Sequence, residues 1–407
     1  MTRADRPATT FREQTLLVCA LIGAAQMTWG VVVPVLPVLA DRYSISVSLL
    51  GVVVGAFGVG RILGNLPAGL LLTRLPARRL VWIIALALSA VTASTALAQD
   101  VVALTVLRGL TGVFGGAAVT AGFTVLLRAA PAGSRGRVIS IATVVQLSTA
   151  ALGSLLGGAA LGVVGPRLVF VVAAVPLLVI LAWDALRPAT GYWAPSVLKV
   201  SSAPTVPGPP AVGPASSDRG RLLLAGLIVE TAVLFVVRFS GEQGLIPLLA
   251  YGQGGLDPLG LGATLAAGTV VSLAVLLPLG RWLDRGARAV PVVVAAAIAV
   301  VGMSAVALLP GAGLVVGVVI ASVGTSALGV VPGVVTSERF PPARVGVVVG
   351  LTRTAGDLGA AIGPLLVFLV ADLVDSSVAL LLLAALLAVA SVGFAIVVRR
   401  PRLDLPA

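Results

Sequence analysis

No histidine occurs in this 407-residue chain, and cysteine and lysine occur once each. Without imidazole the chain lacks the commonest metal ligand and the usual general base. A metal centre built on histidine or on several cysteines is excluded, and any proton relay must run on carboxylates, arginines or water. Cys19 alone cannot close an intramolecular disulfide and says nothing about redox compartment. Charge is scarce too: 10% of residues are Asp, Glu, Lys or Arg, against about 25% in a soluble domain. Aromatic residues make up 4%, which weighs against an aromatic cage for cations. There is no nucleophile–base constellation and no Walker-type phosphate loop, so neither an enzyme nor direct ATP drive is indicated. No cofactor is expected.

What fills the chain instead is hydrophobic residues, at 58%, with 48 glycines among the rest. Apolar stretches of about 20 residues follow one another from end to end, the mark of a polytopic helical membrane protein. A spanning barrel would show alternation over about ten residues, and none of these stretches alternates. Twelve spans are placed at 16–39, 48–72, 80–98, 101–126, 138–164, 168–186, 222–249, 259–279, 290–309, 313–336, 346–370 and 376–398. The stretch 188–220 carries seven prolines and several serines; it cannot bury a core and reads as a tether between a bundle at 1–187 and a second at 221–407.

The net charge of +12 does not indicate a nucleic-acid partner, because the basic residues are spread over short loops and form no single patch. They record topology. Twenty-one lie on the side holding both termini and the tether, and the opposite loops carry only Arg42 and Arg167. The positive-inside rule makes the populated side cytoplasmic. Arg3, Arg6 and Arg12 ahead of an apolar run imitate a secretory signal, but the length of that run and its late Pro34 and Pro37 make it a retained first span.

The chain also repeats itself. Leu36-Pro37-Val38-Leu39-Ala40 returns 210 positions later as Ile246-Pro247-Leu248-Leu249-Ala250. Gly136 maps onto Gly346 and Gly153-Ser154 onto Gly363-Pro364 at the same offset, and the Gly69–Arg74 run maps onto Gly280–Arg285 at 211. Two matched halves in so apolar a chain point to a transporter whose bundles rock about a site at their interface.

Four basic residues, Arg61, Arg108, Arg238 and Arg353, fall inside spans, as do Glu230, Glu242 and Asp357. Each central charge facing lipid costs about 2.5–3.5 kcal/mol on insertion scales, and all seven together roughly 20 kcal/mol. They must point inward, pair, or sit near an interface. Arg353 and Asp357 are four apart on one helical face, as are Arg238 and Glu242, so each couple is either a self-neutralising pair or part of a functional site. Glu230 has only Gly226, Leu227, Val233 and Leu234 as helical neighbours. It must meet a cation on another helix or bind a proton, which makes it the first candidate for proton coupling and Asp357 the second; a purely structural ion pair is the competing reading. Gln26, Thr28, Trp29, Asn65 and Gln146 are candidate cavity residues beside Arg61, Arg238 and Arg353, although each can equally serve helix packing. Gly153 and Gly157, like Gly112 and Gly116, form small-xxx-small steps that let helices approach closely.

Several of these runs resemble the motifs of the major facilitator superfamily, and within it the twelve-span drug–proton antiporter branch. Pro67-Ala68-Gly69-Leu70-Leu71-Leu72-Thr73-Arg74, followed by Arg78 and Arg79, resembles the family's loop between spans two and three, with Thr73 where that loop has aspartate and Pro76 where it has glycine. The second copy, Gly280 to Arg288, keeps Asp284-Arg285. Arg108-Gly109-Leu110-Thr111-Gly112 resembles the fourth-span arginine motif, and Trp29-Gly30 through Pro34 and Pro37 the first-span proline pattern. Gly153-Ser154-Leu155-Leu156-Gly157-Gly158 resembles the antiporter signature, with Ser154 in place of proline.

The resemblance implies an all-α membrane fold of two pseudo-symmetric six-helix bundles, with spans three, six, nine and twelve as outer supports. It implies a role for Arg108 in proton transfer or coupling, and a gating role for Arg74, Asp284, Arg285, Gly153 and Gly157. The expected function is export of small amphipathic or hydrophobic compounds in exchange for protons. Import of a sugar, an organic anion or another nutrient is the alternative, and a non-transporting scaffold is disfavoured by the costly intramembrane charges. Partners are then a small-molecule substrate, protons and the bilayer, with the chain working as a monomer. Its Ala-, Val-, Gly- and Arg-rich composition places it in a bacterial plasma membrane.

Overall fold

The computed structural model describes residues 11–130, 135–186 and 218–399. All of their regular structure is helical: α1 Phe11–Gly30, α2 Val32–Tyr43, α3 Val47–Arg74, α4 Ala77–Ser94, α5 Val101–Ala129, α6 Arg135–Leu186, α7 Asp218–Val236, a π-helical stretch Val237–Leu245, α8 Ile246–Gly252, α9 Pro258–Asp284, α10 Ala289–Leu308, α11 Ala312–Arg339, α12 Pro342–Leu373 and α13 Ser376–Arg399. In lipid the backbone must satisfy itself, and an apolar chain without alternation does so only as helices. Eleven of the described segments are long and apolar enough to cross a membrane. One of them, α6, is folded back at Gly165 (φ 77°, ψ 173°). A positive φ is open to glycine at little cost, and Pro166 then starts the next arm with its φ already set for a helix. The two arms match the expected spans at 138–164 and 168–186, which brings the spans to twelve. Of the expected linker, residues 188–217 lie outside the described residues.

The repeat is carried into the elements. α3, α4 and α5 begin at residues that recur 211, 212 and 211 positions later as the starts of α9, α10 and α11. Pro67 inside α3 and Pro278 inside α9 are likewise 211 apart. The first expected span of each half is interrupted: α1 gives way to α2 at Val31, and α7 to α8 through the π-helical stretch.

Three aspartates open helices at ends the positive-inside reading places outside. Asp100 accepts from Ala103 N at α5 (2.8 Å) and Asp257 from Gly260 N at α9 (2.7 Å). Asp375 accepts from Ser377 N (2.6 Å) and Val378 N (3.3 Å) at α13. Each satisfies donors orphaned at a helix start and complements the helix dipole.

The chain divides into two compact units, residues 1–35 with 60–212 and residues 36–59 with 213–407. In the first, α1, α4, α5 and both arms of α6 enclose a core that includes Leu17, Ile22, Leu88, Leu126 and Leu177. Its helices touch through glycines. A Cβ on Gly60 or Gly64 of α3 would sit 2.0 Å from Gly109 O or 2.1 Å from Val113 O of α5, so only glycine permits this crossing. In the second unit the same holds between α10 and α11, where a Cβ on Gly302 or Gly324 would lie 2.2 Å from a backbone nitrogen of the other helix. Residues 47–59 of α3 belong to this unit because Gly51, Gly55 and Gly58 rest on Pro364, Ala361 and Ala360 of α12, and Ser48 Oγ donates to Asp372 Oδ2 at 2.6 Å.

Candidate functional site

In the first unit, α3 and α5 carry three polar residues named from the sequence. Arg108 is buried in α5, while Arg61 and Asn65 are half-buried on α3. Asn65 Oδ1 accepts from Thr120 Oγ1 at 2.9 Å. The missing side chain of Gly116 makes room for Asn65 and Arg61: a Cβ there would lie 2.8 Å from Asn65 Oδ1. Gln26, Trp29 and Gln146 are half-buried on α1 and α6; Thr28 is buried with its hydroxyl turned back onto Ala25 O (2.7 Å). Gly153 packs on Met27 of α1 and Gly157 on Val31 at the break after it, and Ser154 Oγ donates to Gly30 O at 3.1 Å. The glycine-rich antiporter-like run therefore closes a helix crossing inside the first unit.

In the second unit Glu230 of α7 is 0% exposed. Ser391 of α13 donates its hydroxyl to Glu230 Oε1 at 2.9 Å, and Glu230 Oε2 has no hydrogen-bond partner. A cation on another helix was one expected partner; the group found is a hydroxyl on the last span, which carries no intramembrane charge. A buried polar atom left unmatched costs about 1–3 kcal/mol, more if charged, so this carboxyl is one of the most poorly satisfied groups in the unit.

About two to four turns on, the helix widens into the π register at Val237–Leu245, a local form frequent at functional sites. The expected span at 222–249 runs on through it, within a single membrane-crossing segment Gly220–Gly252. Arg238 is half-buried, and Thr325 of α11 donates to Glu242 Oε1. Arg238 Nε, Ser240 Oγ and Gln243 Nε2 are buried with no hydrogen-bond partner. Asp357 is buried on α12, whereas Arg353, one turn earlier, is exposed.

The charge contacts of the helix ends lie beside the expected gating residues. Arg74, Asp284 and Arg285 are exposed at the ends of α3 and α9. The ion pair at the second of these corners is made by Arg288, whose Nε donates to Glu338 Oε2 of α11 at 2.7 Å. At the first, Asp184 of α6 is buried and accepts from both Arg78 Nε (2.8 Å) and Trp82 Nε1 (2.7 Å) of α4, with the guanidinium 5.9 Å from the Trp82 ring. Arg78 and Arg288 are 210 positions apart, so the repeat offset could have singled them out. Nothing in the sequence marked Ser391 or Thr325, hydroxyls that interrupt apolar runs without changing their hydropathy.

The Major Facilitator Superfamily model matches residues 18–364, and also 231–406. Among solved structures, the chain is similar to a bacterial homologue of the human lysosomal transporter Spinster, in an inward-facing and occupied conformation (TM-score 0.76, 16% identity, 97% of this chain and 98% of that one). It is similar to the xylose transporter XylE from E. coli in an inward open conformation (0.74, 16%, 95% of each chain) and to the nucleoside transporter NupG (0.73, 10%, 94% and 99%). No curated protein matches it in sequence. With a family model over most of its length and the transporter fold over nearly all of it, the chain belongs to the major facilitator superfamily.

Proposed function

We propose that the protein exports small amphipathic or hydrophobic compounds in exchange for protons, by alternating access, with Glu230 as the coupling carboxyl. The observation that carries this reading is the state of that side chain: sealed from solvent, held by one serine hydroxyl, and with its second oxygen open to a proton. A carboxylate stripped of water needs a cation or several donors. Binding a proton suits the sealed arrangement, and losing it suits one that admits water or a cation to Oε2. Two helix arrangements that differ in this way are biased by the proton gradient, and transport follows if substrate binds one better than the other.

Arg108, buried on α5, is assigned to coupling in the first unit. Asp357 is the second candidate for carrying a proton. Arg74, Asp284 and Arg285 at their helix ends are assigned to the cytoplasmic gate, with the bacterial plasma membrane as the setting. Import is the second reading, prompted by the xylose and nucleoside transporters among the similar folds.

A substrate panel on inside-out vesicles tests the proposal. Uptake that rises when the interior is made acid supports export by antiport. Uptake that rises with the opposite gradient supports symport and rejects it. Glu230→Gln is expected to remove gradient-driven uptake by tenfold or more, on the order of 1.4 kcal/mol or greater in coupling.

A further inference from the structure

The repeat allows two corners to be compared group by group, at helix ends that the positive-inside reading places in the cytoplasm. At the α9–α10 corner the cations have acids beside them: Arg288 donates to Glu338, and Asp284 precedes Arg285. At the α3–α4 corner both acids are gone. Thr73 stands 211 positions before Asp284, and Arg128 stands 210 before Glu338. Thr73 turns its hydroxyl back onto Leu70 O at 2.7 Å, while Arg128 adds a cation where the repeat has an acid. Residues 60–186 hold two acids in all, Asp100 at the far end of α5 and Asp184. Asp184 is buried and already taken by Arg78 and Trp82. Arg74, Arg79 and Arg128 are exposed, and among the described residues none of the three forms an ion pair.

These three arginines surround one end of the unit. Leu72, Leu80 and Leu126, from the ends of α3, α4 and α5, join a single core. Arg128 Nη1 donates to Leu72 O at 3.2 Å, two residues before Arg74, and Arg79 follows in the first turn of α4. Unbalanced guanidiniums draw an anion, and their forked donors match the oxygens of a phosphate. What lies below them decides which phosphate. Arg79, Ile83 and Leu86 share one face of α4, at i, i+4 and i+7, and Ile83 and Leu86 are exposed. Trp82, bonded to Asp184, and Trp183 are half-buried beside this corner; tryptophan is enriched at the boundary of headgroups and hydrocarbon. A cation above an outward apolar stripe follows the order of a phospholipid, charge first and acyl chain beneath. A soluble anion would use the arginines and leave the stripe uncovered.

We infer that this corner binds an anionic phospholipid: Arg79 takes the headgroup phosphate, Arg74 and Arg128 strengthen the positive field around it, and the acyl chains lie along Ile83 and Leu86. The site belongs to the first unit alone, because the acids of the second corner stand where its counterpart would need cations. It depends on neither the direction of transport nor proton coupling.

The test uses the full chain in a neutral detergent, titrated with phosphatidylglycerol, phosphatidylcholine or inorganic phosphate while the thermal midpoint is read. Phosphatidylglycerol is expected to raise the midpoint of wild type and, equally, of Arg281→Ala, which removes an exposed arginine of the second corner. Arg79→Ala should match wild type without lipid but need about fivefold more phosphatidylglycerol for the same rise, the worth of one arginine at an anionic surface. Arg128→Glu, which puts back the acid of the repeat, should need about tenfold more, and the wild-type rise should shrink as salt is added. An equal rise with phosphatidylcholine overturns the inference, since charge is then irrelevant. An equal rise with phosphate alone overturns it as well, since no acyl chain is then needed. So does a wild-type response in Arg79→Ala, or a loss in Arg281→Ala as large as in Arg79→Ala.

Discussion

At the scale of single residues, the decisive groups are carboxylates and the few hydroxyls or cations that meet them. Glu230 could be recognised from its sequence because a charge in the middle of an apolar run is costly wherever it lies. Its partner could not: Ser391 is 161 positions away, and a serine leaves no periodic trace. If the hydroxyl only holds the carboxyl in place, Ser391→Ala should shift the pH profile of transport and cost about 1 kcal/mol of stability, while Glu230→Gln should flatten the profile. A pH profile identical to wild type in Ser391→Ala would show that the hydrogen bond does not bear on coupling. Asp184 is a second case. It lost its water on folding and is held by Arg78 and Trp82, so Arg78→Ala leaves a buried carboxylate with one donor fewer. Unfolding of the purified variant should occur earlier by roughly 2–3 kcal/mol, whereas the neighbouring, exposed Arg79→Ala should leave it unchanged.

At the scale of elements, hydropathy located the spans, but local backbone geometry did not follow from it. The bend at Gly165 was legible as a gap between two apolar runs, with glycine and proline side by side. The π-helical stretch was not, since its register depends on how α7 packs on α11, α12 and α13. Close helix crossings give a test with its own control. Gly64→Ala places a methyl against Val113 O, while at Gly69, on the same helix, nothing lies within 4 Å. Gly64→Ala is expected to lower the thermal midpoint by the equivalent of about 1–3 kcal/mol. Gly69→Ala should be neutral or slightly stabilising, because alanine is the better helix former.

The cap of α13 adds a pH dependence. The backbone N–H groups of Ser377 and Val378 hold the Asp375 carboxyl below the usual carboxylate range. A depressed value in the folded state means stabilisation that is present above the ordinary value of about 3.9. It is lost as pH falls through the folded value. Asp375→Ala should therefore lower the midpoint at pH 7 and differ progressively less from wild type below pH 4; a constant difference across that range would exclude the cap as its cause.

At the scale of the whole molecule, the two matched halves were visible in the sequence because the prolines and glycines that interrupt helices cannot drift without changing the fold. The offset near 210 recurs in the helix starts, in Pro67 with Pro278, and in Arg78 with Arg288. What each repeated residue touches has diverged: Arg78 reaches Asp184 at the end of α6, and Arg288 reaches Glu338 at the end of α11. The family's fold therefore follows from pattern, whereas the transported compound depends on side chains from several helices that no single run records.

The most direct measurement is proton flux during transport in proteoliposomes holding wild type or Glu230→Gln. Adding substrate to wild type should move protons against it across the membrane. The variant should lose that flux yet still exchange labelled for unlabelled substrate, since the pathway stays intact. Substrate-dependent proton movement of wild-type size in Glu230→Gln would contradict the account.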